Sequence, residues 1–421
     1  MNSNPAPPLT QPRSRKAALG FIFATVAIDM IGIGMIVPSL PGIMRRFYSD
    51  PSDISQAFGV FITVYAFMQF LASPLLGALS DLWGRRPILL ISLAFAAMDH
   101  VLMAFAPTLT ILFIGRVIAG LTGANITVAM SYIADISDDK KRAANFGLVG
   151  AAFGLGFVIG PALGGLASGL GDQAPFLISA GLNLVNFVFG FLVLPESLPK
   201  EKRRPFSSAK LDPFSSIIRS FRSPSLRIFF VAHFLFQLSG QTHPSIWTLY
   251  NQHRHGWSVK EVGFSLAAVG LLSAFAQGFL TRWMTPRLGE VRTLHLCGIG
   301  TTLAMLGFAL ATQSWMMIAL LLISAPSWVL GPVLQALASK TVGPQDQGEL
   351  QGALVGLSSL AMVLNPLIVT QLFAHYTKPM FPEWASGAPY FFAALVGLIG
   401  WFALRKIAHH PSVAEVPTST A

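Results

Sequence analysis

The chain has one cysteine, Cys297, in 421 residues. A single thiol excludes an internal disulfide, a cysteine-ligated iron–sulfur cluster and a thiolate zinc site. Charge is also scarce: 11% of the residues are Asp, Glu, Lys or Arg, against about 25% in an ordinary soluble domain. Alternation at the strand period is missing, which argues against a β-barrel. No phosphate-cradling G-x-x-x-x-G-K-[ST] loop occurs, so ATP is not the direct energy source. No metal-ligand or nucleophile–base constellation occurs either, and the chain is not expected to be an enzyme.

What the chain has instead is long apolar runs. Hydrophobic residues make up 53% of it, and the runs approach the ~20 residues a helix needs to cross a bilayer. Backbone groups in lipid must pair within the chain, so each run is expected to be a helix. Twelve spans are expected, at 18–40, 56–79, 87–106, 109–132, 145–168, 174–194, 227–249, 260–283, 293–312, 315–338, 349–373 and 387–406. The first is too long and too embedded in the pattern for a cleaved signal peptide, since Asp29, Gly32, Gly34 and Pro38 lie inside it.

The spans divide six and six around a connector rich in Lys, Arg, Ser and Pro. The expected organisation is a tail at 1–17, a bundle at 18–194, a linker at 195–226, a second bundle at 227–406 and a tail at 407–421. Shifted by 205 positions, Gly84 falls on Gly289, Gly147 on Gly352 and Pro161 on Pro366; at 206, Gly34 and Pro38 fall on Gly240 and Pro244. Five coincidences at nearly one offset favour a parallel internal repeat, with a site between its halves. The fold class expected is therefore an all-α integral membrane protein, twelve helices in two pseudo-symmetric six-helix halves.

The net charge of +10 is a topology signal and does not call for a nucleic-acid partner. With both termini cytoplasmic, Arg13, Arg15, Lys16, Arg85, Arg86, Lys140, Lys141, Arg142, the basic linker, Arg405 and Lys406 share one side. The other side holds Arg45, Arg46, Arg254, Lys260 and Lys378, as the positive-inside rule requires.

Inside the first half's spans lie Asp29, Asp99 and Arg116, with Asp135 just past span 4, whereas the interiors of the second half's spans hold no acid. A charge at membrane depth costs ~2.5–3.5 kcal/mol on insertion scales and usually has a task. Asp29 and Asp99 are candidate proton carriers and candidate partners for Arg116; static ion pairs are the alternative. Gln69, Asn125, Gln237, Gln241, His243, Trp247, Gln335 and Asn365 are candidates to line a substrate cavity.

Two motifs carry a resemblance. GALSDLWGRRP at 77–87 resembles the loop 2–3 signature of the major facilitator superfamily. GLVGAAFGLGFVIGPALGG at 147–165 resembles the span 5 motif of that superfamily's drug/proton antiporters. Stretches such as DMIGIGMIVPSLP (29–41), GRVIAGLTGA (115–124) and FQLSGQTHPSIWTLY (236–250) are similar to its tetracycline efflux branch. The resemblance implies that Gly77, Asp81, Gly84, Arg85 and Arg86 form a conformational latch, Asp81 meeting the start of span 11. Arg85 is also expected to pair with Asp135. It marks Gly156, Gly160, Pro161, Gly164 and Gly165 as the antiporter motif.

It further implies a monomer-competent, proton-coupled exporter of amphipathic drugs in a bacterial cytoplasmic membrane. No resident cofactor is expected; a proton gradient drives transport, with a cation co-bound with the drug left open. Where that branch typically carries a His in span 8 and an Asp in span 9, this chain has Ser273 and Thr301. Neither takes a proton near neutral pH, so a sister substrate, or coupling through Asp29 and Asp99 alone, fits the residues better. An uptake carrier for a metabolite on the same scaffold and a non-transporting receptor are the rival readings.

Overall fold

The computed structural model describes residues 12–408, apart from 124, 138, 207–211, 213, 215–217, 219–220, 222–223 and 344–345. Most of the two expected tails, at 1–11 and 409–421, and much of the linker's middle lie outside the described residues. The described residues form helices and no strand. The first span is α1 (Pro12–Ile36), a tight turn at Val37–Ser39 and α2 (Leu40–Met44). Then come α3 (Pro51–Trp83), α4 (Arg85–Ala104), α5 (Leu109–Gly123) with α6 (Asn125–Ile136), α7 (Asp139–Ala167) and α8 (Ala174–Val193). After the linker follow α9 (Pro224–Gly240), α10 (Thr242–His255) and α11 (Val259–Phe275), the last continued through a π-helical turn at Ala276–Leu280 into α12 (Thr281–Leu288). The remainder is α13 (Glu290–Leu310), α14 (Ser314–Ser324) joined through Ala325–Val329 to α15 (Leu330–Lys340), α16 (Gln347–Tyr376) and α17 (Ala388–Ala408).

Among the described residues, eleven helices or helix runs are long and apolar enough to cross a membrane. The expected seventh span, 227–249, is the difference. It is broken into α9 and α10, of 17 and 14 residues, with Gln241 between them. Pro244 is the physical reason: it has no N–H to offer the Gly240 carbonyl four residues back, so the ladder opens there. Its partner at the same offset, Pro38, lies in the turn that ends α1. Gly84 and Gly289 immediately precede α4 and α13 with φ of +107° and +76°, a region that favours glycine. Pro161 and Pro366 lie inside α7 and α16. The repeat read from punctuation is thus a repeat of backbone events.

By packing, the chain divides into one unit of Met1–Ser39 with Met68–Asp212 and another of Leu40–Phe67 with Pro213–Ala421. The division cuts α3. Within the second unit the early part of α3 packs on α16: Ser55 Oγ donates to the Thr370 carbonyl at 3.1 Å and Thr63 Oγ1 to the Val363 carbonyl at 3.3 Å. Gly59 makes this approach possible, because a Cβ there would lie 2.8 Å from the Thr370 Cβ.

The first unit's interior includes Phe21, Ile22, Ile88, Leu89, Tyr132 and Ile133. The second's includes Phe229, Phe230, Val329, Val333 and Leu334. Apolar residues also cover the outside, with Met98, Val185, Leu192, Leu303 and Ile323 exposed. Helices that are apolar inside and out suit a lipid solvent.

The antiporter-like motif is the seam between α7 and α1. A Cβ on Gly160 would stand 2.7 Å from the Ile31 carbonyl oxygen, one on Gly164 would meet the Met35 backbone, and one on Gly34 would stand 2.8 Å from the Pro161 ring. Small residues let two helix backbones meet in lipid, where packing has to hold them together. Gly160→Leu should therefore lower the thermal unfolding midpoint of the purified protein, in keeping with an overpacking cost of about 1–3 kcal/mol. Gly154→Ala, where a Cβ would meet nothing within 4 Å, should leave it unchanged. Equal midpoints for the two variants would contradict the seam.

Candidate functional site

The polar island at 77–87 is organised around Arg85, which is 7% exposed. Its Nη1 lies 2.6 Å from Asp81 Oδ1 and donates to Ser80 Oγ at 2.5 Å, and its Nε donates to Asp135 Oδ2 at 3.2 Å. The first contact spans the break at Gly84, so the end of α3 presents its carboxylate to the first residue of α4. The Arg85–Asp135 pair joins α4 to the end of α6. Arg86 donates to the Phe191 carbonyl at 2.7 Å and lies over that residue's ring.

The sequence reading missed Glu196. Its Oε1 accepts from the Arg85 backbone N–H at 2.9 Å and from that of Leu198 at 3.0 Å, so a linker carboxylate caps the start of α4. Gly84 leaves the room: a Cβ there would lie 2.8 Å from Glu196 Cδ. Ser197 Oγ donates to Asp135 Oδ2 at 3.0 Å, and the Arg204 N–H reaches the Asp81 carbonyl at 3.1 Å. The linker's first residues are therefore strapped to the island. The signal available was an acid just past the end of span 6, in a connector where basic residues outnumber acidic ones.

At membrane depth in the same unit, Arg116 Nη2 stands 3.7 Å from Asp99 Oδ2 and 2.7 Å from Met103 Sδ. Asp99 is 2% exposed, and neither of its oxygens has a hydrogen bond. Gly115 makes room for the carboxylate, since a Cβ there would lie 2.7 Å from Asp99 Oδ1. Asp29, the other expected partner of Arg116, accepts a short hydrogen bond from Asn125 Nδ2. Gln69 Nε2 donates to the Gly123 carbonyl at 2.9 Å, at the end of α5.

In the second unit, two of the proposed cavity residues are enclosed by their neighbours in this structure. Asn365 is 0% exposed and spans α16 to α9 and α10, donating to the Leu238 carbonyl at 2.6 Å and to Thr242 Oγ1 at 3.0 Å. Trp247 is 1% exposed, and its indole N–H donates to Ser265 Oγ at 2.9 Å. His243 sits edge-on among Phe308, Trp247 and Tyr390, at centroid distances of 4.6, 5.3 and 5.6 Å. These residues close the break between α9 and α10, whose freed polar groups need local partners.

Gln237 and Gln241 stay half-buried on the α9 side and Gln335 is exposed. Gln237 donates to Ser358 Oγ at 2.7 Å and Gln335 to Gln351 Oε1 at 2.6 Å. Ser273 accepts from Gln277 at 2.8 Å and Thr301 donates to the Cys297 carbonyl at 2.9 Å, so both hydroxyls serve their own helix.

The sequence model of the Major Facilitator Superfamily matches residues 22–366. The tetracycline resistance protein, class C, of Escherichia coli is 41% identical over 85% of this chain and 90% of its own length. The class G protein of Vibrio anguillarum is 39% identical over 83% of this chain and 88% of its own length. A solved bacterial homologue of the human lysosomal transporter Spinster superposes with a TM-score of 0.76 at 16% identity, covering 95% of this chain and 99% of that one. At that identity the likeness speaks for the fold.

Glu196→Ala would leave the Arg85 and Leu198 N–H groups without their acceptor. The expected loss is about 1–3 kcal/mol, read as a lower thermal midpoint. Glu196→Gln keeps an amide oxygen in place and should fall much less. An alanine variant as stable as the parent would show that the cap is dispensable.

Proposed function

We infer the function from one premise, that the chain belongs to the Major Facilitator Superfamily: it is a multi-pass membrane transporter that exports amphipathic, tetracycline-like drugs in exchange for protons. The drug class comes from the relatives named for tetracycline resistance. The observation that carries the proton half of the reading is the Asp99–Arg116 pair, enclosed in the first unit at 3.7 Å with no hydrogen bond to either carboxylate oxygen.

A carboxylate so placed has Arg116 as its main stabilisation. Protonation cancels that attraction, a large change for a buried guanidinium. The pair therefore biases the protein between two arrangements according to its proton occupancy. Asp29, bonded to Asn125, is the second carrier. The two six-helix halves of the sequence are the parts that rock, and the Asp81–Arg85–Asp135 cluster is the latch released and reset in each cycle. Ser273 and Thr301 contribute no proton step, so the carboxylate part of the coupling runs through the first half.

In this reading the membrane is the bacterial cytoplasmic membrane, both termini are cytoplasmic, the working unit is the monomer, and the proton gradient stands in place of a resident cofactor. Uptake of a metabolite on the same scaffold agrees less well with the glycine–proline seam of α7.

Tetracycline accumulation in inside-out vesicles with an acid lumen tests this. The parent should accumulate drug, and Asp99→Asn and Asp29→Asn should each fall by roughly tenfold or more, the equivalent of at least about 1.4 kcal/mol, with normal insertion. Gly115→Ala, which crowds the carboxylate, should slow accumulation while leaving some. Undiminished export by both asparagine variants, or by the parent after the pH gradient is collapsed, overturns the reading.

A further inference from the structure

The second unit carries an ionisable side chain that the export reading leaves without a task. His233 lies on α9, half-buried, four and eight residues before Gln237 and Gln241. That spacing sets all three on one helix face. Its Nε2 stands 3.2 Å from the Leu354 carbonyl and 2.9 Å from Ser358 Oγ, both on α16. Ser358 Oγ also donates to the Leu354 carbonyl at 2.9 Å and accepts from Gln237 Nε2 at 2.7 Å.

Of the two groups facing Nε2, the Leu354 carbonyl can only accept, so a hydrogen on Nε2 serves it. With that tautomer the free lone pair of the neutral ring lies on Nδ1. Nδ1 is not among the buried unpaired atoms, and no hydrogen bond involves it among the described residues. The ring is held by one nitrogen, and Gln237 shares its Ser358 contact.

The elements packed on α9 are α10, α15, α16 and α17, with α13 touching it at Phe236 and carrying Glu290, Arg292 and His295. Their charged and titratable groups include His243, His253, Arg254 and His255 on α10, Lys340 on α15, Glu349 and His375 on α16, and Arg405 and Lys406 on α17; α9 itself has Arg227. None of these is a partner of the ring, whose polar contacts are Ser358 and the Leu354 carbonyl.

We propose that Nδ1 of His233, with Gln237 beside it, is a hydrogen-bond-accepting contact for a hydroxyl or amine of the exported drug, and that protonation of the ring abolishes it. This rests on the drug-export reading and deepens it. An incoming proton turns the acceptor into a donor and adds a positive charge, so a bound O–H or N–H group loses its partner. The second half, without an acid inside its spans, would thereby have its own proton-sensitive release.

His233→Gln is the discriminating variant, since its amide can keep a donor toward Leu354 and Ser358 but removes Nδ1. Tetracycline binding to the full chain in lipid nanodiscs, read by drug fluorescence, is compared between parent and variant at each pH, so the drug's own titration cancels. The parent should bind about tenfold tighter near pH 8, and the ratio should fall toward one as acidification protonates the ring. The thermal midpoint should be unchanged.

A ratio near one throughout, or one that does not move with pH, overturns the proposal while leaving export intact. Failure of the parent to bind tetracycline at any pH removes the export reading itself. If His233→Gln does not fold, ¹⁵N-histidine spectra of the parent decide. Saturating tetracycline should shift an acceptor-type Nδ1 resonance of His233, and an unmoved resonance overturns the assignment.

Discussion

Hydrocarbon offers a polar group nothing to bond, and this constraint governs the molecule at every scale. It makes the backbone helical wherever the chain is apolar. It also makes each departure from a helix conspicuous. Where Pro244 withholds an N–H from Gly240, the neighbourhood supplies Asn365 to the Leu238 carbonyl and Thr242, and a cage of rings to His243. Asn365, a polar residue that looked like a cavity lining, is the repair of a broken ladder.

The same constraint separates structural polar groups from those available for work. Trp247 is enclosed and satisfied, and Asn365 is enclosed with its amide nitrogen bonded to two partners. Asp99 is enclosed and not satisfied, leaning on Arg116 at 3.7 Å. His233 is satisfied at one nitrogen only. A group held firmly on one side and unfinished on the other can change partners when a proton or a ligand arrives, and both halves of the repeat contain one. They differ in kind: a carboxylate–guanidinium pair in the first, a neutral imidazole in the second. The proton-binding role that Ser273 and Thr301 cannot fill need not fall to the first half alone.

At the island, the linker proved as important as the motif. Arg85 gathers Asp81 and Asp135, but Glu196 and Ser197 from the following segment complete the cluster. A capped helix start and a strapped linker hold Arg85 in one geometry, so the guanidinium's two carboxylates can be exchanged without the helix end fraying.

Much was determined by the sequence alone. Apolar length set the spans, glycine and proline at offsets of 205 and 206 set the repeat, and the rarity of charge singled out Asp29, Asp99 and Arg116, because burial in lipid penalises these patterns through one-dimensional properties. Tertiary structure decided which polar residues meet. Glu196 and Arg85 are 111 positions apart, and His233 and Ser358 are 125. The stripe His233–Gln237–Gln241 was visible, but which nitrogen of the ring is tied and which is open depends on a carbonyl and a hydroxyl of another helix. Hydrogen bonds are short and directional; a chain's order lists the donors and acceptors, and only its packing brings a given pair within reach.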